Sequence, residues 1–312
     1  AVVTYGTFNN AWVNGSDQSA EETFSLPDDV TRIKKILMYV RLSCPLQGCG
    51  AWDVYANVLV KEKTSGVFFE IGRYITPYGR DNSTTERGFV FDVTDFKSLL
   101  SGEVTLRVFT EVWTSEGWLV SVDFDYETGT PDYKYYSVSP VMQYNAHSLA
   151  GIPYGEPEDM LKDFTVGIPD EAQETALRTI ISGWGHATPE DPDGRPCAEW
   201  CFRTHHVMID GQATFAHDLT GLGCLDNAVA AQSGNWKPDR AGWCPGMAVP
   251  VRYNKLAAPK AGQSFDLSYR LQDWTNDFQS AADNKHAYYA LSMFVIVKSD
   301  TPVLPAVVSP RP

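Results

Sequence analysis

Apolar residues recur at every second position along most of the chain, and this pattern restricts the fold more than any other feature of the sequence. Ile36, Met38, Val40 and Leu42 alternate with neighbours expected to be polar or exposed, and Val54, Ala56, Val58 and Val60 repeat the pattern. Phe89, Phe91 and Val93 follow, then Val104, Leu106 and Val108, then Trp118, Val120, Val122, Phe124 and Tyr126. In the second half Phe202, Thr204, His206 and Met208 alternate, as do Phe265, Leu267, Tyr269 and Leu271, and a last strand is expected over Ala287 to Val297. A period of two places alternate side chains on opposite faces of a strand, which is the pattern of a half-buried sheet. Helical spacing is confined to a short stretch, Thr94 to Leu100. The 24 glycines and 19 prolines are enough to punctuate many short strands with turns. Short antiparallel strands in this number predict sandwiches, not a parallel sheet with crossover helices. At 312 residues the chain is about two domains long. The expected architecture is therefore all-β, two jelly-roll-like antiparallel β-sandwich domains packed side by side. The turn-rich run Gly129-Thr130-Pro131-Asp132 predicts the division, giving domains 1–131 and 132–312.

Charge and cysteine usage narrow the class of function. Asp plus Glu number 39 against 25 for Lys plus Arg, a formal charge of -14 that repels nucleic acid and anionic lipid. No apolar run approaches the roughly 18–20 residues needed for a membrane-spanning helix. The first residue is Ala1, which predicts a mature form after signal-peptide removal. The six cysteines fall as Cys44 with Cys49, Cys197 with Cys201, and Cys224 with Cys244, a framework of three short-range disulfides suited to a secreted or periplasmic protein. The alternative is zinc held by Cys197, Cys201, His205 and His206, whose spacing fits tetrahedral zinc motifs poorly.

Three carboxylates stand beside aromatic residues. Asp53 follows Trp52 directly after the first cysteine pair, Glu111 and Trp113 lie two apart in an expected strand, and Glu199 sits with Trp200 inside the run CAEWC. A small disulfide ring around Glu199 would fix the backbone on both of its sides, which a catalytic carboxylate needs. Taken singly, an acid in so acidic a chain is a solvated surface charge. Tryptophans are the second signal, with Trp184, Trp236 and Trp243 in glycine-rich runs that leave an indole little cover from sequence neighbours. Flat rings with a polar edge suit the C–H faces of sugars, although large aromatics also fill sandwich cores, as expected for Trp118 and Trp274. No G-x-S-x-G elbow, H-E-x-x-H helix or phosphate loop is present. No cofactor and no metal is expected.

Several longer runs resemble the peptide:N-glycosidase F family: EIGRYITPY (70–78), VTDFKSLLSG (93–102), SVDFD (121–125), ISGWGHA (181–187), CAEWCFRTH (197–205) and PDRAGWCPGMAVP (238–250). The resemblance implies an amidase that cleaves between asparagine and the first N-acetylglucosamine of an N-glycan, converting Asn to Asp and releasing the intact glycan. It implies two jelly-roll sandwiches with the active site in the cleft between them, and three disulfides. It assigns Asp53 as the essential carboxylate, Glu199 and Glu111 as supporting carboxylates, and Trp113, Trp184, Arg240 and Trp243 to the glycan cleft with Ile75 and Gly183 close by. Trp52, Trp200 and His186 are further candidates for substrate contact. Val54 stands where the family prototype has Arg, which predicts a lost contact to sugar hydroxyls. The expected partners are N-glycosylated peptides and glycoproteins, bound through the core N-acetylglucosamine disaccharide by a monomer that touches neither nucleic acid nor membrane. Two other readings stay open here: an endo-β-N-acetylglucosaminidase and a non-catalytic carbohydrate-binding protein.

Overall fold

A computed structural model describes residues 1–153, 161–187, 193–257, 261–272 and 287–312, without the side chains of His186 and Ala187. Trp274 lies outside the described residues, as does the side chain of His186. The alternating segments form strands as expected, among them Ile33–Ser43, Tyr55–Lys61, Trp118–Thr128 and Tyr288–Ser299. The helical stretch is a single 3-10 turn, Thr94–Phe96.

The chain divides into two compact units. The first comprises Ala1–Tyr136 together with Gly223–Pro238 and Cys244–Val249; the second comprises Ser137–Leu222, Asp239–Trp243 and Pro250–Pro312. Two contiguous segments cut at 131/132 do not describe this division. Residues 223–238 and 244–249 return to the first unit because they are bonded into it. The Cys224–Cys244 disulfide ties the two returning segments to each other. Gln232 Oε1 accepts the Tyr78 backbone N–H at 2.9 Å, Arg80 donates to the Ala230 carbonyl at 2.6 Å, and the Gly246 N–H donates to the Ile75 carbonyl at 2.9 Å. A contact pattern made by a loop that returns from nearly a hundred residues away has no local sequence signal.

Each unit is built on two five-stranded sheets. In the first unit one sheet runs in the order Val2–Gly6, Trp118–Thr128, Ile33–Ser43, Phe89–Asp92, with Ala11–Val13 also on Trp118–Thr128. The other runs Met247–Ala248, Phe68–Ile75, Tyr55–Lys61, Glu103–Thr110, Ser19–Ser25. Their inner faces supply the core, with Met38, Val40, Val58, Val60, Val108 and Val122 all fully buried. Gly72 is required where the sheets approach: a Cβ there would meet the Phe91 ring at 2.7 Å and Met38 Cε at 3.0 Å.

In the second unit Tyr135–Tyr144, Tyr288–Ser299, Glu174–Trp184 and Arg252–Lys255 form one sheet in that order, with Ile152–Pro153 added on Tyr288–Ser299. Gln212–Leu219, Arg203–Ile209, Ser264–Arg270, Phe164–Gly167 and Val307–Pro310 form the other. A short ribbon pairs His186–Ala187 with Cys197–Ala198. The strand Arg203–Ile209 buries the phase opposite to that read from the sequence. Arg203, His205, Val207 and Ile209 face inward, while Phe202, Thr204 and His206 are half-buried. Two inward histidines are hydrogen-bonded: His205 Nδ1 accepts the Gln272 N–H at 2.9 Å, and the opposite residue, His217, contacts the Tyr269 hydroxyl at 3.0 Å and Asn254 Oδ1 at 2.7 Å. Hydrogen bonding makes the burial of such groups tolerable, and hydropathy alone does not foresee it.

Candidate active site

The first unit gathers Trp52, Asp53, Glu111 and Trp113. Asp53 sits just before the strand Tyr55–Lys61, and Glu111 just after the strand Glu103–Thr110. These strands are neighbours, and the pairing continues one bond past its last rung through the Glu111 N–H to the Tyr55 carbonyl at 2.8 Å. Glu111 and Trp113 are thus in the connection beyond the strand instead of on it, because the chain there turns to meet Gly15, whose N–H donates to the Thr114 carbonyl at 2.8 Å. The alternation still holds across the turn, with Val112 buried between partly exposed Glu111 and exposed Trp113. Trp52 and Trp113 stack at a centroid distance of 6.5 Å and an interplanar angle of 26°, and their exposures of 52% and 64% are large for indoles. This is an open aromatic platform beside two carboxylates.

Val54 corrects an expectation. It is buried, lining a small apolar pocket with Trp52, Val112, Trp113 and Trp118, so its side chain supports the platform from beneath and does not face sugar hydroxyls. The strand's alternation decides this, since Val54 continues the inward stripe of Ala56, Val58 and Val60. Ile75 is also fully buried, paired with Tyr55 on one side and Met247 on the other.

Next to Glu111, on the face opposite the sandwich core, lies a network the sequence did not reveal. Tyr55 donates to Glu70 Oε2 at 3.1 Å, Asn57 donates to the same oxygen at 2.7 Å, and Arg73 holds both Glu70 oxygens, at 3.1 and 2.7 Å. Glu70 and Arg73 are three apart in one strand and would ordinarily face opposite ways. A β-bulge at Val58/Leu59, which pairs Val58 with Gly72 but Leu59 with Glu70, brings both to one face. Burial, reinforced by the charges of Glu70 and Glu111 and opposed by Arg73, pushes the Tyr55 phenol well above its ordinary value, so it stays a neutral donor. Burial disfavours the Arg73 cation, but Glu70 holds it protonated.

In the second unit the disulfide ring expected around Glu199 is present. The Cys197–Cys201 disulfide closes around Glu199, whose N–H donates to the Gly185 carbonyl at 3.1 Å and whose carbonyl accepts the Ala241 N–H at 2.9 Å. Cys44–Cys49 and Cys224–Cys244 complete the expected disulfides and leave no free cysteine, which excludes the zinc alternative. Arg240 lies over the Trp200 ring at 4.4 Å and within 5.5 Å of the Trp243 centroid. Trp184 and Trp243 stack at 4.5 Å, and the Trp243 indole donates to the Gly183 carbonyl at 3.0 Å. Gly183 is required by close approach, since a Cβ would lie 2.3 Å from the Ala198 carbonyl oxygen.

The second-unit tryptophans are not the loosely covered indoles expected from their glycine-rich neighbours. Trp184 is the last residue of the strand Glu174–Trp184, and it and Trp243 are buried, as is Trp236 of the first unit. Trp200 is half-buried, and Arg240 is buried. Flanking glycines removed cover from sequence neighbours, but tertiary packing restored it. Among the described residues the exposed indoles are Trp52, Trp113 and also Trp12, which no motif marked and whose Nε1 donates to the Glu116 carbonyl at 2.6 Å.

A β-sandwich chain with paired carboxylates, indoles and a disulfide-held acid falls into a class of sugar-directed hydrolases, and comparison with known proteins narrows it. Profiles of the N-terminal and C-terminal parts of peptide-N-glycosidase F match residues 53–126 and 156–296. Over 309 residues the chain is 50% identical to peptide-N(4)-(N-acetyl-beta-D-glucosaminyl)asparagine amidase F of Elizabethkingia miricola, covering 99% of this chain and 86% of that protein. The solved structure of PNGase F, described as a glycosylasparaginase from Flavobacterium meningosepticum, superposes with a TM-score of 0.94 at 49% identity, covering 99% of each chain. PNGF-II shares the fold, with a TM-score of 0.74 at 16% identity over 96% of this chain and 66% of its own. The chain belongs to the peptide-N-glycosidase F family.

Proposed function

We propose that the protein hydrolyses the amide joining asparagine to the first N-acetylglucosamine of N-linked glycans, leaving aspartate in the peptide and releasing the glycan as a glycosylamine that then loses ammonia. The observation that carries this reading is half-identity to an asparagine amidase along nearly the whole chain, with Asp53, Glu111 and Glu199 each at its family motif. The reaction needs a placed water, a base to take its proton, stabilisation of the tetrahedral oxyanion and a proton for the leaving amine. Asp53 is the base. It takes a proton from water as the oxygen attacks the side-chain carbonyl carbon, and the bond from that carbon to the amide nitrogen then breaks as the nitrogen, still joined to the sugar, gains a proton. Glu199, gripped through both its N–H and its carbonyl, orients the water or shares its proton. Glu111 holds sugar hydroxyls.

The exposed pair Trp52 and Trp113 offers ring faces to the sugars, with half-buried Trp200 as a further contact. Arg240, Trp184 and Trp243, with Gly183, hold the second-unit residues in place. The substrates are N-glycosylated peptides and glycoproteins, and three disulfides support secretion into an oxidising compartment.

Incubating the protein with a denatured N-glycoprotein and weighing the released peptides tests the reading. Aspartate at the former glycan site is expected. Asparagine still carrying one sugar would make the protein an endoglycosidase, and an unchanged glycopeptide would make it a binding protein.

A further inference from the structure

With Asp53 as the base, a reading on which this step rests, we infer that Thr76 is a positioning residue that fixes the backbone of Asp53 through its hydroxyl. Asp53 lies outside the regular ladder, whose last rung pairs Tyr55 with Ile75. One step further, Val54 stands opposite Thr76, and only half of the usual reciprocal exchange is made by backbone groups. The Thr76 N–H donates to the Val54 carbonyl at 3.0 Å. The return bond goes elsewhere: the Val54 N–H donates to Thr76 Oγ1 at 2.8 Å, and that same hydroxyl donates its own hydrogen to the Trp52 carbonyl at 3.1 Å.

These two bonds fall on the two peptide groups that flank Asp53. The Trp52 carbonyl belongs to the peptide before it and the Val54 N–H to the peptide after it. One oxygen, accepting from one and donating to the other, therefore restrains both planes about the Asp53 Cα, and with them the direction in which the carboxylate leaves the chain. Only a hydroxyl can do this, because it carries a donor hydrogen and acceptor lone pairs on one atom. Thr76 is fully buried and Val54 nearly so, so water is a poor substitute. Pro77 follows Thr76 and restricts it to extended backbone, which keeps the hydroxyl in register with Val54. A catalytic carboxylate displaced by about 1 Å can lose on the order of 100-fold in rate, so a device of this kind acts on turnover before it acts on binding.

The test measures kcat, KM and melting temperature for the full chain and for Thr76→Val, Thr76→Ser and Asp53→Asn on a denatured N-glycosylated peptide. Thr76→Val keeps the shape and removes the hydroxyl, and kcat is expected to fall by roughly 10- to 100-fold with KM within about twofold of native. Thr76→Ser restores the hydroxyl and is expected to retain most of the turnover. Should Thr76→Val not fold, Thr76→Cys, whose thiol is a weak hydrogen-bonding group of similar size, carries the same expectation as valine. A folded Thr76→Val protein with native kcat, or equal losses in the serine and valine variants, would overturn the role of Thr76 while an inactive Asp53→Asn leaves the base assignment standing. A folded, active Asp53→Asn protein would overturn both.

Discussion

Asp53 and Glu199 are held in two different ways. Glu199 sits in a covalent ring, with its own N–H and carbonyl each bonded to backbone from another segment. Asp53 follows the Cys44–Cys49 loop but lies outside it, and the atoms bonded around it belong to Trp52 and Val54 and converge on one hydroxyl. The first arrangement uses groups that any residue type carries plus a cross-link, and the second uses a side-chain hydroxyl. The aromatic surroundings differ in the same sense. Trp52 and Trp113 present open faces, whereas Trp184 and Trp243 are stacked and buried. One stacked pair, in the first unit, is open to solvent, and the other, in the second, is enclosed.

The largest effect that would test this contrast is at the base itself. Asp53→Asn keeps size and shape while removing the proton acceptor, and hydrolysis is expected to fall by about 1,000-fold or more with the melting temperature preserved, since general-base assistance is worth roughly 100- to 10,000-fold. Near-native turnover, read by peptide mass, would remove Asp53 from the base role.

Opening the ring around Glu199 comes next. Replacing Cys197 and Cys201 together by Ser is expected to lower kcat by roughly 10- to 100-fold, with a smaller change in stability, because so short a loop restrains the unfolded chain little. A double variant of native rate but much lower melting temperature would make the ring a stability device. The two backbone bonds to Gly185 and Ala241 would then be sufficient to aim Glu199.

The tryptophans should separate cleanly. Trp113→Ala is expected to raise KM several-fold with little loss of stability, because the ring is already mostly in water. Trp243→Ala removes a fully buried indole and its bond to Gly183, which in a packed interior costs about 3–5 kcal/mol and lowers the melting temperature. Equal thermal shifts for the two variants would break the distinction between contact and support.

The smallest effect expected is on acid stability. Burial, together with the nearby His217 and Arg203, lowers His205 from its ordinary 6.5 to about 3, and burial also lowers His217 although its bond to Asn254 opposes the shift. The native state thus keeps these imidazoles neutral while the unfolded chain protonates them below about pH 6.5. Their contribution is intact above that pH and is lost as pH falls toward 3, at up to about 1.4 kcal/mol per pH unit for each histidine that is protonated only when unfolded. His205→Gln should flatten the decline in melting temperature between pH 6.5 and 4. An unchanged slope would assign acid lability to other groups.

Much of the architecture was legible because strands and turns have local signatures. The alternation of Ile36 to Leu42 and of Trp118 to Tyr126 specified strands, and the close cysteine spacings specified the disulfides. The family was legible as well, through long runs such as CAEWCFRTH. The inward phase of His205 was not, since a polar residue is buried where a specific partner awaits it, and its partner, the Gln272 N–H, comes from a segment distant in sequence. The bulge that turns Glu70 and Arg73 to one face was equally silent, because one inserted residue in a pairing leaves no trace in composition.

By itself the sequence determined the all-β class and the cysteine pairing, each encoded in neighbouring residues or in short fixed spacings. The tertiary structure alone decided the rest. It showed that residues 223–238 and 244–249 belong with the first unit, that Val54 is turned inward and Ile75 is covered on the opposite face, that the glycine-flanked indoles are covered, and that the Thr76 hydroxyl closes on both peptides of Asp53. Exposure and hydrogen bonding are properties of what surrounds a group in space. In an antiparallel sandwich those surroundings come from strands distant in sequence, so no local pattern can encode them.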